Sequence, residues 1–261
     1  TAGNISLSAS AGLMLNEPVT TPGNVSLTST AGVIGNSGAA VDVLAQDLIA
    51  TAALGIDLDT SITNATLSNT GAGNVLIDET NGLNLAGMNV ANGSATINAA
   101  GPLTNGTGST LSVSGNASFS GTTVTLGDQA GDNLSFGSLT FASAGAAIID
   151  LNNATALAGS SSATSLIFTS TSTINSVVGA SLNVSGAAVL NAPAINLGNQ
   201  AGDTINFGTL NVTSSGAVSI AEDSSTQLVG TNTAASLTVA SAGALTTVPA
   251  TSITVTGLSN F

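Results

Sequence analysis

No Lys, Arg, His, Cys, Trp or Tyr occurs in this chain of 261 residues, while Asp and Glu number 13 and set a net charge of −13. Nucleic-acid binding relies on cations that neutralise phosphates and on aromatic stacking, so this composition excludes it. The lack of Cys excludes disulfides, thiolate nucleophiles and Cys-based metal sites. The common catalytic triads need His or Lys. We therefore expect no enzyme activity and no cofactor.

Membrane insertion is also not expected, because no apolar run reaches the roughly 18 residues that a spanning helix needs. A basic patch for anionic lipid is missing as well. The opening Thr1-Ala-Gly-Asn has neither the basic region nor the apolar region of a signal peptide. We expect any secretion signal to lie upstream of it.

Repeats dominate what the chain does contain. Residues 1–13 recur at 21–33, and 73–83 are a third relative. A longer repeat aligns 111–151 with 182–222 without gaps. Repeat periods of about 20 to 50 residues are typical of stacked architectures, in which each repeat covers the apolar face of the next.

Short alternations within each repeat predict β-strands. Units such as Ile5-Ser-Leu7, Val25-Ser-Leu27 and Leu182-Asn-Val184 place two apolar side chains on one face and a polar one on the other. With 2% aromatic residues, the core must consist of Val, Ile, Leu and Ala. We predict an all-β, right-handed parallel β-helix (β-solenoid) of roughly 11–13 coils of about 20–24 residues. It would form a single domain over 1–261, with Thr and Asn ladders on its outer face.

One segment has the spacing of a helix instead. Val41, Leu44, Leu48, Ile49 and Ala52 would share a helical face. Short apolar runs do not separate helix from strand. We favour short strands with Ala-rich corners here, because the rest of the chain is built that way.

The Gly-Asn-Val-Ser-Leu-Thr-Ser-Thr-Ala-Gly-Val unit at 23–33, with its relatives at 3–13 and 73–83, resembles the repeats of filamentous-haemagglutinin-like exoproteins. These are large bacterial β-helical surface adhesins. The resemblance implies a secreted β-helix on the bacterial cell surface or in the extracellular space. No match to the amino-terminal secretion domain of that family occurs.

Adjacent or alternating acids are the candidates for acid–base chemistry. Asp57 and Asp59 lie on one strand face, as paired carboxylates of a polysaccharide-active enzyme would. No cation is present to bind an acidic substrate, so we interpret them as an outward, solvated pair. The adjacent acids Asp78-Glu79 and Glu222-Asp223 are interpreted as solvated corners in the same way.

A calcium site is the candidate at the Gly127-Asp-Gln-Ala-Gly-Asp132 loop. Asp128 and Asp132, with Asp203 in the second repeat copy, are its possible ligands, because Ca²⁺ prefers carboxylate and carbonyl oxygens. Asn199 replaces the first acid in that copy. The alternative is a plain turn in which Gly supplies positive φ and Asp or Asn caps the backbone.

Many sequons are possible glycosylation sites, although an Asn/Ser/Thr-rich chain also produces them by chance. They are Asn4, Asn24, Asn64, Asn92, Asn105, Asn116, Asn133, Asn153, Asn183 and Asn211.

The functional expectation is a structural component of an extracellular fibre or adhesin. Its partners would be further copies stacked end to end, neighbouring coils of a longer chain, or cell-surface glycans. The alternatives are a glycan- or ice-binding module that uses outward Thr and Asn and, from another class, a polysaccharide-active enzyme.

Overall fold

Short strands make up most of the chain. The computed structural model describes residues 3–38 and 40–261, and it places 31 strands and no helix in them. None of these residues belongs to a helix able to cross a membrane. Contacts divide the chain into two units, Thr1–Gly137 and Ser138–Phe261.

The first unit contains fifteen whole strands among its described residues. They are β1 (Ile5–Ala9), β2 (Leu13–Leu15), β3 (Val19–Thr20), β4 (Asn24–Ser29), β5 (Ile34–Asn36), β6 (Val43–Leu44), β7 (Asp47–Ala52), β8 (Ile56–Ser61), β9 (Asn64–Ala72), β10 (Val75–Glu79), β11 (Leu83–Asn92), β12 (Ala95–Ala99), β13 (Leu103–Asn105), β14 (Thr110–Gly121) and β15 (Val124–Leu126). Strand β16 (Asn133–Ser143) includes the point where the units divide.

Parallel pairing stacks these strands coil on coil. One stack runs β1, β4, β7, β9, β11, and a second runs β2, β5, β8, β10, β12, β14. Asp47 pairs with both Asn24 and Asn64, so successive coils advance by 23 and by 17 residues. Each strand therefore lies against the equivalent strand of the next coil, which satisfies the backbone groups between them.

Alternation along each strand builds the core of this unit. In β4, Val25 and Leu27 are completely buried while Ser26 and Thr28 lie on the other face. Larger side chains fill the later coils, where the rings of Phe119 and Phe136 are 5.4 Å apart between centroids. Burying a side chain such as that of Val25, Leu27 or Phe119 stabilises the folded chain by about 1.5–3 kcal/mol.

The second unit is built in the same way. Its strands are β17 (Ala146–Leu151), β18 (Thr155–Leu157), β19 (Ser160–Ala163), β20 (Ser165–Ser170), β21 (Thr173–Ser176), β22 (Ser181–Asn191), β23 (Ala194–Leu197), β24 (Thr204–Thr213), β25 (Ala217–Glu222), β26 (Thr226–Leu228), β27 (Thr231–Ala234), β28 (Ser236–Ser241), β29 (Leu245–Thr247), β30 (Ser252–Val255) and β31 (Ser259–Asn260).

Parallel stacks again run through this unit. Strands β17, β20, β22 and β24 form one, and β18, β21, β23, β25, β28 and β31 form another. Its buried side chains include Phe168, Leu182 and Ile220.

The predicted fold class is confirmed. Both units are parallel β-solenoids, and the chain makes about 12 turns. The segment with helical spacing is strand, because Leu44 lies in β6 and Leu48, Ile49 and Ala52 lie in β7. The handedness and the single domain over 1–261 stay predictions.

Replacement of Gly73 by Ala tests the closeness of the coil stacking. Gly73 has a φ of 137°, and a Cβ there would meet the carbonyl oxygen of Leu54 in the preceding coil. We expect Gly73→Ala to lower the free energy of unfolding by about 3 kcal/mol or more, measured by urea denaturation. Gly108 is the control, because its φ is also positive, at 71°, but nothing lies within 4 Å of its Cβ position. Gly108→Ala should lower the free energy of unfolding by only about 1–2 kcal/mol. Equal losses would contradict tight stacking at Gly73.

Candidate functional site

The two loops singled out by the long repeat have the same backbone conformation. Gly127 and Gly131 have φ of 81° and 82°, and their counterparts Gly198 and Gly202 have 75° and 77°. Such values are in the left-handed region that Gly adopts without strain. The Gly positions of the motif are therefore explained by the turn itself.

Asp132 closes the first of these loops. Its carboxylate accepts hydrogen bonds from the backbone N–H of Ser109 at 3.1 Å and of Gln129 at 3.0 Å. It also accepts one from the side-chain amide of Asn105 at 2.7 Å, while the Oδ1 of Asn105 accepts from the N–H of Gly127. The carboxylate thus joins its own loop to the preceding coil.

Asp203 does the same in the second copy. It accepts from the N–H of Ala180 at 3.1 Å, from the N–H of Gln200 at 3.2 Å and from the hydroxyl of Ser176 at 2.6 Å. Ser176 takes the place that Asn105 has in the first copy, and its hydroxyl in turn accepts from the N–H of Gly198. The turn alternative thus accounts for both acids.

The calcium prediction gains no support from these contacts. Asp128 is exposed and accepts from the neighbouring Gln129 side chain, whereas Asn199 donates across to Ser219 of the next coil. Within residues 3–38 and 40–261, no three acidic side chains are grouped as a metal site would require. Calcium at Asp128, Asp132 and Asp203 stays a prediction that the geometry does not favour.

Asp57 and Asp59 both point outward from β8, as expected, but Asp59 belongs to a crowded acidic group. The N–H of Asp59 donates to the carboxylate of Asp42 at 2.7 Å, and Asp59 pairs in register with Asp78. Partial burial raises the pKa of Asp59 above 3.8, and repulsion by Asp42, Asp78 and Asp57 adds to the effect. No sequence spacing predicted that Asp42 would join this group.

Glu79 and Glu222 are not solvated corners, which corrects the sequence interpretation. Each is 3% exposed. Glu79 accepts from the hydroxyl of Thr60 at 2.7 Å and from the N–H groups of Ile62 and Asn81. Burial raises the pKa of Glu79 above 4.5 despite these hydrogen bonds.

Glu222 has an equivalent environment in the second unit. It accepts from the N–H of Phe207 and the hydroxyl of Ser224, both at 2.9 Å, and from the hydroxyl of Thr226. The signal for burial was present in the alternation, because Val218, Ile220 and Glu222 follow one another on the inward face of β25. Their neighbours Asp78 and Asp223 are exposed, as predicted.

Polar ladders connect successive coils of the first unit. The amide of Asn64 donates to Asp47 at 2.7 Å, the amide of Asn84 donates to Asn64 at 2.8 Å, and the hydroxyl of Thr104 donates to Asn84 at 3.3 Å. A second ladder has the same form, in which Asn98 donates to Asp78 and Ser120 donates to Asn98. The expected outward ladders are thus present, and each ends on a carboxylate.

The sequons differ in environment. Exposed ones are Asn4, Asn24, Asn92, Asn133, Asn153 and Asn183. Asn64, Asn116 and Asn211 are half-buried, and Asn105 is buried. The amide nitrogen of Asn105, which a glycan would modify, donates to Asp132 and to the carbonyl of Gly106. Asn105 is thus a structural residue of the loop.

Part of the first unit matches a known protein family. Residues 72–140 are similar to repeats of unknown function, DUF5649. The matched segment covers strands β10 to β15 and contains the whole second ladder and part of the first. Searches of curated proteins and of solved structures found no match. The similarity fits a β-helical repeat protein.

Removal of the Asp132 carboxylate tests its structural role. Asp132→Ala removes the acceptor of three hydrogen bonds, so we expect the free energy of unfolding, measured in urea, to fall by about 1–3 kcal/mol. Asp203→Ala should have a similar effect. Asp128→Ala is the control, because this exposed acid makes a single contact with its neighbour, and its effect should stay within about 0.5 kcal/mol. An equal loss for Asp128→Ala would contradict the assignment.

The raised pKa values of Asp59 and Glu79 contribute to the pH dependence of stability. A carboxyl whose pKa is higher in the folded chain stabilises the fold most at pH below its unfolded value, here 3.8 and 4.5. That contribution disappears as the pH rises through the folded values. We expect the thermal midpoint, followed by circular dichroism, to rise on acidification from pH 7 towards pH 4. The double variant Asp59→Asn, Glu79→Gln should show a smaller rise. An unchanged profile in that variant would contradict the role of these two groups.

Proposed function

We propose that this protein is a structural component of an extracellular bacterial surface fibre or adhesin, of the kind that filamentous-haemagglutinin-like exoproteins form. The observation that carries the proposal is the parallel stack itself. Each coil buries its apolar face only against its neighbours, and the outer faces carry hydroxyls, amides and few charges. Such a stack can be lengthened by any further coil of the same kind.

The coil formed by β29, β30 and β31 carries exposed apolar side chains. Leu258 is 86% exposed and Phe261 is 59% exposed, and Ile253 is also exposed. In the preceding coil, Leu237 and Val239 are almost fully buried. A further coil placed on β29–β31, from neighbouring chain or from a second copy, would cover these apolar side chains and pair with the strand edges.

The proposed setting is extracellular or on the cell surface. A chain without Lys or Arg offers no cleavage site to trypsin-like proteases. The proposal assigns no catalytic activity, cofactor, nucleic acid or membrane insertion to the chain. Its partners are other solenoid coils and, for an adhesin, cell-surface glycans.

Imaging of the purified chain tests the proposal. We expect negative-stain electron microscopy to show uniform fibres, and we expect oriented fibres to diffract at about 4.8 Å along their axis. The double variant Leu258→Asp, Phe261→Asp places two charges on the exposed coil and should shorten or abolish the fibres.

Val178→Asp is the matched control. Val178 is also exposed and apolar but lies in the turn between β21 and β22, so fibres should persist. Discrete short particles from the unmodified chain at every concentration would overturn stacking between copies. Loss of fibres in both variants would contradict the assignment to the β29–β31 coil.

A further inference from the structure

A groove of about 510 Å³ crosses the second stack of the first unit. Met14 of β2 pairs with Gly35 of β5, and Asp57 of β8 pairs with Leu76 of β10, which pairs with Thr96 of β12. These residues line the groove over five successive coils. At about 4.8 Å between coils, it is roughly 19 Å long. An extended peptide of about six residues has that length.

One half of the groove is apolar. Met14 and Leu54 are each half exposed, and Val33 lies exposed beside them. Long apolar side chains that project from a solenoid whose outer faces are otherwise largely polar can bury further surface against a ligand.

Two glycines lie on the floor of the groove. A Cβ at Gly35 would lie 3.3 Å from the sulfur of Met14, so the Met14 side chain lies against Gly35 and a larger residue there would displace it. At Gly55, which has a φ of 127°, a Cβ would lie 2.9 Å from the carbonyl oxygen of Asn74. Gly35 and Gly55 are buried and form part of the groove floor.

The other half of the groove is polar and negative. Asp57 is exposed there, near Asn74, Ser94 and Thr96. The half-buried Asp59 continues the negative charge along β8. A ligand that fits both halves carries a cation next to an aliphatic group.

We propose that this groove binds an extended segment of another protein in which a Lys or Arg side chain follows aliphatic ones on the same face. The aliphatic side chains pack on Met14 and Leu54, and the cation reaches Asp57. A second copy of this chain is not the occupant, because the chain contains no Lys, Arg or His to supply the cation. This inference does not depend on the proposed fibre.

The experiment uses the peptide acetyl-Leu-Ser-Leu-Ser-Lys-Ser-amide with a fluorescent label. Alternation places its two Leu and its Lys on one face of an extended chain. Fluorescence polarisation at low salt is expected to show saturable binding to the whole chain, and a peptide with Glu in place of Lys is expected to bind much more weakly. Asp57→Asn should lower the affinity for the Lys peptide about two- to fivefold. About 0.5 M NaCl should remove this difference in affinity.

Two further variants separate the groove from general attraction to an acidic chain. Gly35→Val fills the floor against the flexible side chain of Met14 and should abolish binding while the thermal midpoint is retained. Asp128→Asn removes the same charge from an exposed site outside the groove and should leave affinity unchanged. The proposal is overturned if the Lys peptide fails to bind at up to about 1 mM. It is also overturned if Asp128→Asn weakens binding as much as Asp57→Asn, or if Gly35→Val binds normally.

Discussion

The rest of this structure depends on one constraint. Equivalent strands of successive coils pair in parallel and in register. Parallel strands in register place identical positions of neighbouring coils directly above one another. A column therefore has one environment throughout, as the inward series Val25, Leu48 and Ala65 shows. A side chain in such a column interacts with its neighbours in the stack more than with its neighbours in sequence.

The second constraint is that the carboxylates have no cationic partner in the chain. Neutral hydrogen-bond donors stabilise the carboxylates instead, in two ways. Asp132 and Glu79 are surrounded by N–H and hydroxyl groups, whereas Asp47 receives the first amide of a ladder. Asp59 is stabilised less, since the amide of Asn36 donates to its carboxylate at the long distance of 3.4 Å. Repulsion therefore persists around Asp59.

Much of the architecture could be predicted from sequence, because short alternations and repeats specify stacked strands directly. The candidate site was harder. Asp128 and Asp132 look alike in sequence, yet Asp132 accepts from the N–H of Ser109 in the preceding coil, whereas Asp128 accepts from the side chain of its neighbour Gln129. The pairing between coils determines which of the two acids reaches the preceding coil. Because the coils differ in length, this pairing cannot be read from the sequence spacing. Asp42 reaches Asp59 across such a length change, so no fixed repeat period predicted their contact.

Glu79 shows where local rules can be applied more strictly. Its position follows Val75 and Ile77 in strict alternation, so it had to point inward. The charge of Glu79 alone suggested a solvent-exposed position. The end of the strand, however, supplies enough hydrogen-bond donors for a buried carboxylate. The last inward position of a strand often holds a polar residue here, as at Ser29, Ser170 and Glu222. Alternation is therefore the better guide than residue type at these strand ends.

The amide ladder through Asp47, Asn64 and Asn84 has a direction, because every donor points towards the earlier coil. This direction limits how the repeat array can change during evolution. A coil inserted between Asp47 and Asn64 must contribute a side chain that both donates and accepts, which Asn, Gln, Ser and Thr do and Asp or Val does not. Gene duplication can lengthen such an array freely on the hydroxyl side of the ladder, whereas its acidic end terminates the series of donors. Asn, Ser and Thr, which both donate and accept, therefore suit the inner positions of such a ladder.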